Sequence, residues 1–217
     1  MDAKVAVLAS GGVDSAILLA DLASSATVYP IYVRAGLFWE DAEHRALEAF
    51  IAALGNPRIQ PITTLSVPVG GMYGEHWSVT GKGVPGLDDP VSAVFMPGRN
   101  VLLIGLAAVW CSTHNVPRIA IGTLNDNPFS DATTEFFQRF GQVLSQGLGY
   151  DVTVEAPYRS SEKEDVIRMN RHLPLGLTLS CMSPKDGLNC GQCGKCWERR
   201  LAFQRAGVPD PTRYAAA

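Results

Sequence analysis

The run Lys4–Ala9 (KVAVLA) enters a turn, Ser10-Gly11-Gly12-Val13-Asp14-Ser15, and an apolar helical pattern leaves it. A short all-apolar strand feeding a glycine turn and then a helix is the opening of a parallel α/β unit, because a strand buried on both faces needs helices to cover it. The pattern then repeats. Val28–Val33 reads as a second strand, Glu40–Leu54 as a second helix stopped by Gly55-Asn56-Pro57, and Ile59–Leu65 as a third strand. Parallel crossovers of this kind are right-handed, and their ligands sit at the carboxyl ends of the strands, where the glycine turn falls.

That turn is suited to an anion. Backbone N–H groups at the start of a helix, with the hydroxyls of Ser10 and Ser15 beside them, favour phosphate. The run has neither the GxxxxGK[ST] nor the GxGxxG spacing, so it is a phosphate site of another kind, and the phosphate tail of ATP is its natural ligand. Asp14 falls in the first helical turn, where a carboxylate is favoured.

Residues 66–98 interrupt the α/β rhythm. They are rich in glycine and proline, carry Tyr73, His76 and Trp77, and far exceed an ordinary connection. Two readings stand side by side, a mobile excursion and a lid over substrate, and aromatics among the glycines could equally pack the loop down. Beyond it the pattern predicts a helix over Arg99–His114, a strand over Arg118–Ile121, a helix over Asp131–Ser145 capped by Ser130, a strand over Val152–Glu155, a helix over Ser161–His172 with a capping box from Ser161 to Glu164, and a last helix over Lys195–Arg205. This divides the chain into an α/β domain, 1–175, and a C-terminal segment, 176–217.

Cys181, Cys190, Cys193 and Cys196 follow the spacing C-x8-C-x2-C-x2-C. Four thiolates make a closed tetrahedral site for Zn²⁺, structural because no position stays open for water. The same ligands can hold an iron–sulfur cluster, and two disulfides are the reading for an oxidising compartment. Cys111 lies apart on an apolar helical pattern and reads as a buried free thiol.

Composition narrows the partners. At 47% hydrophobic and 18% charged the 217-residue chain is globular, and its net charge of −3 gives no support for a nucleic-acid surface. No stretch reads as a signal peptide or as the ~18 apolar residues of a membrane span, so a cytoplasmic location is expected.

With Ser10–Ser15, Pro97-Gly98-Arg99-Asn100, Asp131, Glu135-Phe136, Lys163 and Ser180-Cys181 through Cys190-Gly191-Gln192-Cys193-Gly194-Lys195-Cys196 in place, the chain resembles the PP-loop ATP pyrophosphatases of the 7-cyano-7-deazaguanine synthase type, also called QueC or ExsB-like. The resemblance implies a Rossmann-like parallel sheet of the adenine nucleotide alpha hydrolase type with a C-terminal zinc-binding helical segment. It implies an ATP-dependent carbon–nitrogen ligase, commonly a homodimer. A deazaguanine carboxylate is activated as an acyl-adenylate, ammonia gives the amide, and a second activation dehydrates the amide to the nitrile. Pyrophosphate leaves in each activation, so donors arranged around it contribute most.

On that reading Leu8, Ser10, Gly11, Gly12, Val13, Asp14, Ser15 and Lys163 bind ATP and its pyrophosphate. Asp14, Lys163 and Arg99 are the catalytic candidates, with Asp14 orienting the loop or helping to hold Mg²⁺. Arg34, Phe38, Trp39, Phe129 and Asp131 are the candidates for binding the carboxylate substrate. The substrate side departs from the family pattern. Tyr32-Val33-Arg34-Ala35-Gly36-Leu37-Phe38-Trp39 stands where Tyr-Gly-Gln is usual, and Asn127–Thr133 where Ser-Gly-Tyr-Pro-Asp-Cys-Arg is usual. A paralogue acting on another carboxylate, a PP-loop RNA-thiolating enzyme and a nucleotide-binding scaffold are the competing readings.

Overall fold

A computed structural model describes residues 3–215. Five strands form one parallel sheet: β1 (Lys4–Leu8), β2 (Thr27–Arg34), β3 (Thr63–Ser66), β4 (Arg118–Ile121) and β5 (Thr153–Glu155), in the order β3-β2-β1-β4-β5. The order reverses at β1, which pairs with β2 on one side and β4 on the other. The loop leaving β1 therefore opens into the crevice where such sheets bind ligands.

Strand alternation builds two cores. Val5, Val7 and Ala9 face one side, with Leu18 and Leu19 of α1 (Val13–Leu22) and Leu47 of α2 (Glu40–Leu54). Ala6 and Leu8 face the other, with Ile104, Ala107, Ala108 and Cys111 of α5 (Arg99–His114) and Phe137 of α6 (Thr134–Leu148). By composition the stretch 91–114 is apolar enough for a membrane span, contrary to the expectation from the sequence. Its helix α5 is 16 residues long, and Ile104, Ala107, Ala108 and Cys111 are buried in the second core.

Residues 66–98 contain two single-turn helices, α3 (Gly70–Tyr73) and α4 (Trp77–Thr80), and a 3-10 turn at Val91–Val94. Trp77 stacks on Trp39 at 5.5 Å and Phe95 on Phe129 at 4.8 Å, so the aromatics pack this segment against the body. The C-terminal helix α8 (Gly194–Ala206) lies against α7 (Lys163–Met169), with Ala202, Phe203 and Ala206 sharing a core with α1.

Several boundaries differ from the sequence pattern for definite reasons. β3 begins at Thr63, four residues later than expected. Val28 still bridges Ile59, but Pro30 offers no N–H on the side of β2 that faces Pro61, so the ladder lapses until Ile31 meets Thr63. Helix α6 begins after a separate 3-10 turn (Ser130–Ala132), and its cap is Thr133, whose Oγ1 accepts from the Phe136 N–H at 3.1 Å. Ser130 does not cap it, because Asp131 is turned toward α5. The capping box at Ser161 does not form. Helix α7 starts two residues later, at Lys163, without a side-chain cap, and ends at Met169, with Asn170 as the C-cap whose side chain bonds back to the Val166 carbonyl.

Candidate functional site

The turn after β1 is held from three directions. Gly11 has φ +77°, and a Cβ there would lie 2.5 Å from the Glu43 carbonyl oxygen of α2, so only glycine lets helix and turn meet. Gly122, at the end of β4, would carry a Cβ 3.1 Å from the Ser15 nitrogen. From the far end of the chain, the Leu179 N–H donates to the Gly11 carbonyl at 2.9 Å and the Val13 N–H donates to Ser180 Oγ at 3.4 Å. Gly12 is the N-cap of α1 and supplies no side-chain acceptor, so the first-turn N–H groups point outward without intrahelical partners. The Ser15 hydroxyl accepts from the Ser10 N–H at 3.2 Å, and the Ser10 hydroxyl accepts from the Gly12 N–H at 3.3 Å. Hydroxyls and amides thus converge on one concave surface.

That surface forms the floor of a cavity of about 530 Å³ at the carboxyl ends of β1, β2 and β4. The size is ordinary for a small-molecule site. Leu8, Ile31, Val33, Ile121 and Thr123 line its inner wall, with Ser10, Gly12, Asp14 and Ser15 on the floor. A second lobe of about 270 Å³ runs toward Trp39, Trp77, Phe95, Asp131 and the Leu179–Met182 segment. Ser10, Gly12, Asp14, Glu43, Arg99, Phe129, Lys163 and Lys195 border both lobes.

Lys163 is the electrostatic centre. Its Nζ lies 3.0 Å from Asp14 Oδ2 and 2.7 Å from Glu198 Oε1. Burial opposes its charge, but the two carboxylates outweigh burial and hold the ammonium protonated well above the usual lysine range. Glu198 also meets Lys195 at 2.6 Å. Burial would raise the Glu198 carboxyl, yet Lys163 and Lys195 hold it down at about 2. An acid depressed from 4.5 to about 2 stabilises the fold above its ordinary range, and that stability is lost as pH falls through about 2. Thermal melts between pH 5 and 2 should show a loss of order 2 kcal/mol from this group, allowing for its partial exposure, and Glu198→Gln should flatten that limb.

Among the described residues, Asp14 Oδ1 is the buried side-chain oxygen or nitrogen without a hydrogen-bond partner. A desolvated carboxylate oxygen bordering an anion site suits a hard divalent cation such as Mg²⁺.

Other candidates divide by position. Trp39 and Asp131 border the second lobe, and Phe129 both. Asp131 also has a structural task, since its Oδ2 accepts from the Asn100 N–H at 3.2 Å and closes the start of α5. Gly11 and Val13 lie behind the floor and do not line it. Arg34 and Phe38 line neither lobe. The Arg34 guanidinium is taken by Asp41 at 2.8 Å on the surface. The Phe38 N–H donates to the Ser78 carbonyl at 2.8 Å, which lays the ring over Gly81, half exposed.

The sequence reading missed Glu43, Asp126, Lys195 and Glu198, all on the cavity wall. Burial pushes the Glu43 carboxyl up to about 8 against the pull of Arg99 and Tyr32, and burial likewise raises Asp126. For Lys195 and Glu198 a signal existed: they follow the cysteine cluster at helical spacing.

The four cysteine sulfurs lie within 4.8 Å of one another and all are buried. Cys181–Cys193 and Cys190–Cys196 are each 3.9 Å apart, close to the ~3.8 Å edge of a tetrahedron with 2.3 Å metal–sulfur bonds. Backbone N–H groups of Cys190, Gly191 and Cys193 donate to these sulfurs at 3.2–3.3 Å, as thiolates require. The donor set fits a closed four-sulfur metal site. Cys111, fully buried, has its thiol pushed up to about 12 by burial and is inert.

The chain resembles known proteins along its length. The profile of the family described as queuosine biosynthesis protein QueC matches residues 4–207. A 7-cyano-7-deazaguanine synthase of Methanocaldococcus jannaschii is 28% identical, covering 97% of this chain and 99% of that protein. Those of Azoarcus sp. and Cupriavidus necator are each 30% identical, covering 98% and 100% of this chain and 97% and 100% of theirs. A crystal structure described as a predicted subunit of tRNA methyltransferase from Methanocaldococcus jannaschii shares the fold, with a TM-score of 0.50 at 12% identity over 78% of this chain and 74% of that one. The glycine turn, the buried lysine and the four-cysteine centre sit within a match that spans nearly all the described residues, and the chain belongs to the queuosine biosynthesis protein QueC family.

Proposed function

We propose that the protein is a 7-cyano-7-deazaguanine synthase, converting 7-carboxy-7-deazaguanine, ammonia and ATP to the nitrile in two adenylation steps. The observation that carries this is the buried, permanently charged Lys163 at the joint of the two lobes, beside the anion-binding turn. The larger lobe suits the nucleotide. Leu8 and the strand ends offer apolar walls to a base, while Ser10, Gly12, Ser15 and the α1 amides offer donors to the phosphates. The smaller lobe suits a planar ring, with Trp39, Trp77, Phe95 and Phe129 as flat surfaces and Asp131 as an acceptor for amidine N–H groups.

In this arrangement the substrate carboxylate attacks the α-phosphorus near Arg99 and Lys163, and charge grows on the departing pyrophosphate. Donors already fixed there stabilise the transition state without rearranging. Asp14 would hold Mg²⁺ through its unpartnered oxygen, and the ion would neutralise phosphate charge. Nitrogen attack on the acyl carbon expels AMP, and a second activation of the amide oxygen leads to the nitrile.

The remaining assignments belong to the same reading. The four cysteines hold zinc, about one ion per chain by metal analysis. The protein works in the cytoplasm, where the thiolates stay reduced, and as a homodimer, which sedimentation tests. The decisive experiment supplies 7-carboxy-7-deazaguanine, ammonium and MgATP and measures pyrophosphate and product mass. Pyrophosphate release that requires the acid, with nitrile appearing, is expected. Release only with a different acid overturns the substrate, and nucleotide binding without release overturns the enzyme.

A further inference from the structure

Two carboxyl groups border both lobes of the cavity, and only one has an ion-pair partner. Asp14 is held by Lys163. Glu43 stands on the first turn of α2, and its backbone oxygen presses on Gly11, so the residue is anchored to the phosphate turn itself. Its Oε2 lies 3.3 Å from the Tyr32 hydroxyl. The groups that face it are Tyr32 from β2, Glu40 from its own helix, Trp39 and Arg99 from α5. Glu40 is engaged elsewhere, accepting from the Ala35 N–H. Glu43 is therefore a carboxyl at the boundary between nucleotide and acceptor, without a salt bridge among the described residues.

The reaction needs a base at that boundary. At neutral pH the nitrogen source is mainly ammonium, which has no lone pair to attack with. Resting on the synthase reading, we propose that Glu43 is the catalytic base that deprotonates ammonium beside the acyl-adenylate. The carboxylate oxygen takes one proton and leaves NH3. The nitrogen lone pair forms the C–N bond, the bond from the acyl carbon to the phosphate oxygen breaks, and that electron pair departs on AMP. The nitrogen sheds its surplus proton to water, and Glu43 returns its own to solvent as AMP leaves. No oxidant or further reactant is required.

A fully solvated carboxylate is too weak a base for ammonium. Burial has raised this one into the range where it both ionises and accepts a proton near the working pH. Arg99 nearby and the donors Tyr32 and Trp39 favour the ionised carboxylate and keep part of the population charged.

Glu43→Gln tests the role, because glutamine keeps the shape of the protonated acid and its contact with Tyr32. Three measurements are made on purified wild type and variant: acid-dependent exchange of pyrophosphate into ATP without ammonium, amide formation with ammonium, and hydroxamate formation with hydroxylamine. Hydroxylamine is largely unprotonated at neutral pH and needs no base before it attacks. The variant should keep exchange and hydroxamate formation near wild type while amide formation falls about 100-fold, the usual size of a general-base contribution. Equal losses with ammonium and hydroxylamine would make Glu43 a structural or adenylation residue and overturn the proposal. Unchanged amide formation overturns it as well. A wild-type protein with no acid-dependent exchange refutes the synthase reading itself, an outcome separable from the others because it appears without any substitution.

Discussion

Lys163→Met should lower acid-dependent pyrophosphate release by ~10²–10³-fold, the range for removing one preorganised donor from a developing charge. The lysine is buried, its ammonium is fixed at 3.0 and 2.7 Å from two carboxylates, and its charge is secure at any working pH. A flexible surface lysine would have to be ordered and desolvated during the reaction. This one already is, so its loss falls on kcat more than on nucleotide binding, which the turn amides share. Stability complicates the readout, since removing the cation leaves Asp14 and Glu198 facing each other and costs up to about 3 kcal/mol. A second variant separates the effects. Lys163→Met with Glu198→Gln leaves the single carboxylate of Asp14 in place of two facing each other and should melt closer to wild type, yet stay as inactive as the single variant. Activity returning with the melting temperature would show that Lys163 serves the fold alone.

The glycine turn and the clustering of the four cysteines were legible in the sequence because each depends on neighbours in the chain. Ser10–Ser15 is a local strand–turn–helix signal, and the cysteines share a spacing. The long helices α2 and α5 were equally plain, their ends marked by Gly55 and Asn115 in left-handed conformation. What stayed hidden was decided by contacts between distant segments. Asp131 sits where a helix-start aspartate is expected, yet it serves α5, 31 residues away, and Thr133 takes over the cap. The lapse before β3 depends on Pro30, in a neighbouring strand, having no N–H to offer between the Val28–Ile59 bridge and the Ile31–Thr63 pair. Glu43 reads as a surface acid in a helical first turn, and only the packing of α2 against Gly11 sets it between the lobes. Arg34 and Phe38 are the converse case, lying outside both lobes. They follow a strand end, where site residues gather, but Asp41 and the Ser78 carbonyl draw them to the surface.

On the proposed reading of a structural zinc, loss of the metal should have the second large effect, although a closed four-sulfur site does no chemistry of its own. Cys196→Ser is expected to leave the protein without bound zinc and to lower its melting temperature by 10 °C or more. Several kcal/mol of folding energy rests on a structural four-thiolate site, and each kcal/mol moves a domain of this size by about 2–4 °C. Activity should vanish too, for a geometric reason. Cys193 caps α8 and Cys196 lies in its first turn, tied by sulfur to Cys181 and Cys190. Between and just beyond those cysteines, Lys195 and Glu198 reach the cavity, where Lys195 pairs with Glu198 and Glu198 with Lys163. On the other side of the centre, Leu179 and Ser180 bond to the phosphate turn. Freeing the sulfurs therefore loosens both the cation and the turn. The core contacts of Phe203 and the hydrogen bonds of buried Arg199 to Thr178, Ser180 and Leu175 keep the rest of α8 attached, so proteolysis should cut first within 181–196 and leave the sheet intact. Metal analysis, melting and limited proteolysis on wild type, variant and chelated protein test this together. A variant that is metal-free, fully stable and inactive would show that the ion acts on the reaction directly, and one that is metal-free yet active would break the link from the cysteines to Lys163.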